Sequence, residues 1–125
     1  GVPDVDDDPV GAWATIRTAM TAALDEPAVA TRTFDGMFGP SVFESTVDQF
    51  MSTDLTVHTW DLARAIGVDD RLDPDEVTLV FARMEAIAAQ AGDMMRTSGA
   101  FGPAIELPDD ADPQDTLIAF TGRTP

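Results

Sequence analysis

One short stretch of the chain combines two carboxylates with the only histidine in the sequence. Asp54, His58 and Asp61 are four and three residues apart, and at about 100° per residue this spacing places them on one side of a helix. A carboxylate and an imidazole at positions i and i+4 point from adjacent turns toward one spot, which suits a divalent metal ion. The simpler alternative is an Asp–His hydrogen bond, or a histidine satisfied within a helical core.

The helix that carries these residues is predicted to be the longest in the chain. It runs from Ser41 to Gly67 without an internal Gly or Pro. Apolar side chains share the sector of the three polar residues, so this side is predicted to be the core face, with Trp60 and Arg64 opposite. Carboxylates there need partners because an unpaired buried carboxylate costs several kcal/mol. The apolar residues of the predicted face are Phe43, Val47, Phe50, Met51, Leu62 and Ala65.

Three Asp-Pro pairs predict the starts of the other helices, at residues 8–9, 73–74 and 112–113. An aspartate cap followed by Pro at the first helical position is a strong start signal. The last of these helices is short and docks on the bundle through Leu117, Ile118 and Phe120. The predicted core residues of the other two are Trp13, Ile16, Met20, Ala23 and Leu24, then Val77, Val80, Phe81, Met84, Ile87, Ala88, Ala91 and Met95.

The sequence predicts two extended segments. Residues 28–34 alternate and are rich in β-branched side chains, and residues 101–108 are bounded by Pro. The first is predicted to be an extended arm or a strand that pairs with the second in a two-stranded ribbon. The apolar tip that follows it, Met37 and Phe38, is predicted to cover one end of the helical bundle.

Length and composition limit the possible classes of protein. The 125 residues predict one domain, residues 9–125, after a linker or trimmed end at residues 1–8. A net charge of −16 with seven scattered arginines argues against nucleic acid and anionic membranes as partners. No apolar run is long enough to span a bilayer, and the first residues of the sequence show neither the basic region nor the apolar h-region of a signal peptide. The absence of cysteine excludes disulfides and is compatible with a reducing cytoplasm.

Three parts of the sequence carry a family resemblance. The segment VHTWDLARA at residues 57–65, followed by Gly67, resembles the signature of the DinB-like metal-binding superfamily, most closely its mycothiol-dependent maleylpyruvate isomerase-type branch. The segments GAFGP (99–103), PDDADPQD (108–115) and GR (122–123) resemble the C-terminus of that branch. The similarity therefore covers most of the chain.

This resemblance implies an all-α fold, a DinB/YfiT-like four-helix bundle that holds a divalent metal with three side chains. Two ligands are an acid-or-His plus His pair, which maps onto Asp54 and His58. The third is a His near the end of the family's first helix, and this chain has no second His. The expected architecture is therefore a bundle that lacks its first helix, and the expected metal site lacks one ligand.

Two functions are compatible with this pattern. In the first, Asp54 and His58 bind Zn²⁺ or Ni²⁺, weakly in this chain alone, and Asp61 orients the imidazole from the second shell. The resemblance then implies a metal-dependent transferase or isomerase that uses a mycothiol-type thiol and a small-molecule substrate. In the second, the chain is a non-catalytic interaction or dimerisation module with a relic Asp–His pair. An apolar strip left open by the absent helix predicts that a second copy, or a missing N-terminal segment, covers it.

Overall fold

Helices dominate the chain, and the computed structural model describes residues 4–36, 39–92 and 94–125. The predicted mainly helical class is confirmed, while the DinB-like bundle architecture stays a prediction. In chain order the elements are α1 (Pro9–Asp25), α2 (Pro27–Ala30), β1 (Thr33–Gly36), β2 (Gly39–Val42), α3 (Phe43–Ile66), α4 (Pro74–Ala91), α5 (Met94–Thr97) and α6 (Pro113–Phe120).

The three predicted Asp-Pro helix starts are confirmed. In α1, α4 and α6 the aspartate before the proline accepts a hydrogen bond of 2.9 Å from a backbone N–H in the first turn. Such a bond satisfies one of the amide groups that has no partner inside the helix, and it is worth about 1 kcal/mol. These caps fix where the helices of the fold begin.

The chain divides into two compact units, Gly1–Thr46 and Val47–Pro125, and the boundary falls inside α3. In the first unit α1 packs against the short α2. The predicted core face of α1 is wrong at Trp13, which is 68% exposed, and at Ile16, which is 42% exposed. Its other residues, Met20, Ala23 and Leu24, are half-buried. A four-residue helix is too short to cover the face of a 17-residue one.

A two-stranded sheet is present, but with a partner other than the one predicted. β1 pairs antiparallel with β2, so Phe34 lies opposite Ser41. The loop between β1 and β2 is much shorter than the loop that pairing β1 with residues 101–108 would close. Closing a shorter loop costs less conformational entropy. Ser41 therefore belongs to a strand, and the long helix begins two residues later than predicted. Met37 and Phe38, expected to cover one end of the bundle, lie outside the described residues.

The core of the second unit is built by α3, α4 and α6. Its buried cluster joins Val57 of α3 with Val77, Val80 and Met84 of α4 and Leu117 of α6. The predicted buried stripe of α4 is confirmed at Val77, Val80, Met84 and Ile87. The edge-to-face contact between Phe81 and Phe120, with ring centroids 5.6 Å apart, extends the cluster where α4 meets α6.

The predicted core face of α3 is wrong. The side chains that α3 buries are Val57, Trp60 and Ala63, whereas Leu62, on the predicted face, is 61% exposed. Apolar residues surround α3 on nearly every side, so periodicity alone did not identify the side that packs. The acidic and histidine positions consequently lie at the border of the buried face rather than in its centre.

Among the described residues, no helix has both the length and the apolar character that a bilayer span requires.

Candidate functional site

The structure brings together the three residues that the sequence singled out on α3. His58 Nδ1 lies 2.9 Å from Asp61 Oδ2, and His58 Nε2 lies 3.3 Å from Asp54 Oδ1. Each ring nitrogen therefore faces a carboxylate. The imidazole side chain is 57% exposed, so the cluster is open to solvent and is not enclosed in a core as predicted.

Asp61 is held by an arginine that the sequence did not identify as a site residue. Arg123 donates from Nε to Asp61 Oδ1 at 2.7 Å and from a terminal nitrogen to Asp61 Oδ2 at 2.8 Å, a two-bond fork that fixes the carboxylate plane. The hydrogen bonds from Arg123 lower the pKa of Asp61 most strongly, partial burial opposes them, and the hydrogen bond from His58 lowers the pKa further. Asp61 is therefore an ionised acceptor at neutral pH.

An ionised Asp61 determines which nitrogen of a neutral His58 carries the proton. Both neighbouring carboxylates only accept hydrogen bonds. Asp61 lies nearer to the ring, at 2.9 Å against 3.3 Å for Asp54, so we assign the proton of a neutral ring to Nδ1. In the neutral ring this leaves a lone pair on Nε2, directed toward the Asp54 carboxylate. Two acceptors then face each other with no proton between them, and this is an arrangement that a cation stabilises.

The spacing of these two acceptors fits a metal ion. Tetrahedral Zn²⁺ with bonds of roughly 2.0–2.1 Å separates two of its ligand atoms by about 3.3–3.4 Å. The distance between His58 Nε2 and Asp54 Oδ1 is 3.3 Å, which matches this separation. The ring or the carboxylate must turn for both lone pairs to meet at one ion. In the described parts of the chain, no group of three His, Cys, Asp or Glu side chains is arranged to hold a metal. The described residues thus bring together one imidazole and two carboxylates, of which Asp61 contacts Nδ1 and Asp54 contacts Nε2.

The segment around Arg123 is positioned by close backbone packing after α6. Gly122 has φ +85°, and a Cβ atom at this position would lie 2.6 Å from Gly102 Cα, so only glycine fits. Arg96 donates to the carbonyl oxygens of Gly102 and Phe120 and lies over the Phe120 ring. These contacts hold residues 99–102 against the chain end and direct Arg123 to Asp61. In the sequence, the only signal for Gly122 and Arg123 is their place in the C-terminal resemblance.

A cleft of about 330 Å³ lies beside the Asp54–His58 pair. Its apolar wall includes Val57, Met84 and Ile87, all buried in the core. Thr53 also lines it, and the Thr53 hydroxyl oxygen is shielded from solvent with no hydrogen-bond partner among the described residues. The remaining lining residues are Gln49, Phe50, Asp54, His58, Met95, Ala100, Phe101 and Arg123.

Comparison with known proteins gives two relatives. No protein-family model and no solved structure matches the chain. The uncharacterized proteins MT0763 and Rv0738 of Mycobacterium tuberculosis, from strains CDC 1551 / Oshkosh and ATCC 25618 / H37Rv, are each 39% identical to it over 74 residues. That segment is 58% of this chain and 39% of each relative, so the chain spans about two-fifths of the length of the curated relatives it matches.

Proposed function

We propose that this chain supplies two ligands of a divalent-metal site in a thiol-dependent transferase or isomerase, of the kind found in the mycothiol-using branch of the DinB-like superfamily. The observation that carries the proposal is the Asp54–His58 pair, whose facing acceptors are 3.3 Å apart and whose imidazole is oriented by Asp61. An ordinary surface Asp–His contact needs no such orienting fork from Arg123.

Each residue of the site has a role in this proposal. Zn²⁺ or Ni²⁺, when bound, supplies the positive charge that lowers the pKa of a thiol or water. Asp61 keeps the proton on Nδ1 of His58 and so leaves Nε2 available as a ligand. Arg123 fixes Asp61, and the apolar wall of the cleft holds the small-molecule substrate away from bulk water. We place this activity in the cytoplasm, where low-molecular-weight thiols stay reduced.

A catalytic zinc site uses about three protein ligands and one open position. We therefore assign the third ligand to a group beyond the residues that the structure describes, such as one from a second copy or from a further segment of a longer protein.

The isolated chain is expected to bind Zn²⁺ or Ni²⁺ no more tightly than micromolar, because water must fill the remaining coordination positions. Isothermal titration of the chain measures this affinity, and His58→Ala is expected to remove the binding. Thr59→Val is the matched control, since it alters an exposed neighbour that contributes no ligand. Sub-micromolar affinity in a monomer, or binding that survives His58→Ala, contradicts the assignment.

A second candidate function, that of a dimerisation module, is favoured by an exposed apolar stripe on α3. The stripe consists of Met51, Leu55, Leu62 and Ile66, all of them at least 49% exposed. Their spacings of four, seven and four residues are symmetric about a midpoint between residues 58 and 59. At about 100° per residue all four lie within one sector of some 60°. The stripe is therefore complementary to itself.

An antiparallel pair of α3 helices from two copies would use this symmetry. Met51 of one copy would meet Ile66 of the other, and Leu55 would meet Leu62, across a two-fold axis. Residue 58 lies half a residue from the midpoint, so both imidazoles would lie beside the axis, on the same side of the helix pair. The second copy would then bring its own Asp54–His58 pair close to the first.

Cross-linking tests this register directly, because the natural chain has no cysteine. Thr59→Cys lies beside the proposed axis and should give a covalent dimer with a short bis-maleimide reagent. Thr78→Cys is the matched control, because it makes the same exchange at an exposed position of α4. Added salt should raise the yield by screening the net charge of −16 on each chain. Equal yields from the two variants would exclude the antiparallel pairing.

A further inference from the structure

Each copy of the chain offers a metal ion half of the ligands that a tetrahedral site takes. Among the described residues, no group of three His, Cys, Asp or Glu side chains is arranged to hold a metal, whereas Asp54 Oδ1 and His58 Nε2 lie 3.3 Å apart. A structural zinc ion takes four protein ligands in a tetrahedron. Two such pairs related by a two-fold axis supply that number.

His58 lies beside the exposed apolar stripe of α3. At about 100° per residue, its side chain is directed about 50° away from the centre of the stripe, and Asp54 follows on the same side of the helix. The His58 side chain is 57% exposed and the Asp54 side chain is 62% exposed. A second copy that packs on the stripe therefore meets both of them at the edge of the contact.

An antiparallel pair of α3 helices brings the two imidazoles to the two-fold axis. With a rise of about 1.5 Å per residue, the two His58 residues are offset by about 1.5 Å along the helices. Side chains extend about 5–6 Å from a helix axis, and packed helices lie about 8–10 Å apart. An imidazole directed about 50° from the line between the helices thus ends within about 2 Å of the two-fold axis. A Zn–N bond has about this length.

The charges of the two pairs match the charge of one divalent cation. The two Asp54 carboxylates together neutralise a Zn²⁺ ion, and the two neutral imidazoles add no charge. The Asp61 carboxylate is held by Arg123 and stays outside this balance. Without the ion, pairing brings the two Asp54 carboxylates toward each other in chains of net charge −16, and this repulsion opposes the dimer. A shared cation therefore stabilises the pairing that the apolar stripe favours.

We propose that two copies of the chain share one Zn²⁺ ion on the two-fold axis, held by Asp54 and His58 of both copies, and that this ion stabilises the dimer. A site with four protein ligands has no open position, so its role is assembly. The inference rests on the antiparallel pairing of the second candidate function. It differs from the first candidate function in stoichiometry, because one ion serves two chains instead of each pair holding its own.

Two measurements on the intact chain follow the metal and the assembly together. In NMR spectra the His58 ring signals should reach their bound positions at one Zn²⁺ per two chains, and light scattering should show the mass of two chains at the same ratio. At a free Zn²⁺ concentration about 100 times its dissociation constant from the dimer, the dissociation constant of the dimer should fall about 100-fold. Mg²⁺, which prefers oxygen ligands, is the control ion and should change neither signal.

Two variants separate the ligands from the stripe. His58→Ala should abolish the effect of Zn²⁺ on the mass. Leu62→Gln places an amide in the stripe and should keep the chain monomeric, so that Zn²⁺ binds weakly and no longer saturates at one ion per two chains. Leu79→Gln is the matched control, because it makes the same exchange at a leucine of α4 that is 44% exposed. It should leave the mass and the ratio unchanged.

The outcomes distinguish this inference from the functions proposed above. Saturation at one Zn²⁺ per chain, with the mass of a single chain, overturns the shared site and leaves the metal site of the first candidate function standing. A dimer whose dissociation constant does not respond to Zn²⁺ overturns the shared ion and leaves the dimerisation module standing. A Zn²⁺-dependent dimer that forms equally well with Leu62→Gln overturns the antiparallel arrangement. A His58 imidazole that does not respond to Zn²⁺ overturns both metal sites.

Discussion

Replacing Gly122 by Ala is expected to lower the free energy of unfolding by about 2–4 kcal/mol. Two costs combine at this position. The backbone has φ +85°, where a residue with a Cβ loses about 1–2 kcal/mol. The new Cβ would also lie within 2.9 Å of three Gly102 backbone atoms, which cannot rotate away as a flexible side chain would. Denaturant unfolding of the two proteins measures the difference.

Gly67→Ala separates these two costs. Gly67 has a similar φ of +72°, but nothing lies within 4 Å of its Cβ position, so only the conformational cost of about 1–2 kcal/mol applies. Gly122→Ala should in addition displace Arg123 from Asp61. Equal destabilisation by the two substitutions would show that the close packing of Gly122 on Gly102 contributes nothing.

Gln114→Leu is expected to destabilise the chain by about 2–4 kcal/mol. Gln114 is buried in the first turn of α6, and its amide accepts from the Leu72 N–H at 2.8 Å and donates to the Asp70 carbonyl at 3.1 Å. Leucine keeps the volume but leaves a donor and an acceptor without partners, and each costs roughly 1–3 kcal/mol. Thermal and urea unfolding both report this loss.

The matched control for this substitution is Gln90→Leu, which makes the same exchange at an exposed position of α4. It should change stability by no more than about 0.5 kcal/mol. If Gln114→Leu lowers the stability as little as Gln90→Leu does, the Gln114 side chain does not stabilise the contact between α6 and the segment after α3.

Local signals predicted much of this fold. Aspartate caps act within one helical turn, and for this reason the starts of α1, α4 and α6 could be read from the sequence. The helical spacing of Asp54, His58 and Asp61 also predicted their proximity, because a regular helix fixes the distance between successive turns.

Features that depend on distant contacts could not be predicted in this way. The fork between Arg123 and Asp61 joins residues 62 positions apart, and no local pattern encodes it. The buried side of α3 depends on what α4 and α6 present to it. Phe50, Met51 and Leu62 made an exposed side look like a core face. The hairpin partner of β1 was missed because alternation identifies a strand and not the segment with which it pairs.

One measurement tests the central claim directly. The claim is that His58 binds a divalent metal ion through Nε2 while Asp61 keeps the proton on Nδ1. His58 is the only histidine, so NMR spectra that correlate ring protons with ring nitrogens show a single, unambiguous imidazole. Without metal, and at a pH at which the ring is neutral, we expect the ring proton on Nδ1. Titration with Zn²⁺ should then shift the Nε2 resonance strongly and leave Nδ1 protonated. An imidazole that is unchanged at millimolar Zn²⁺, or one that binds the metal through Nδ1, would contradict it.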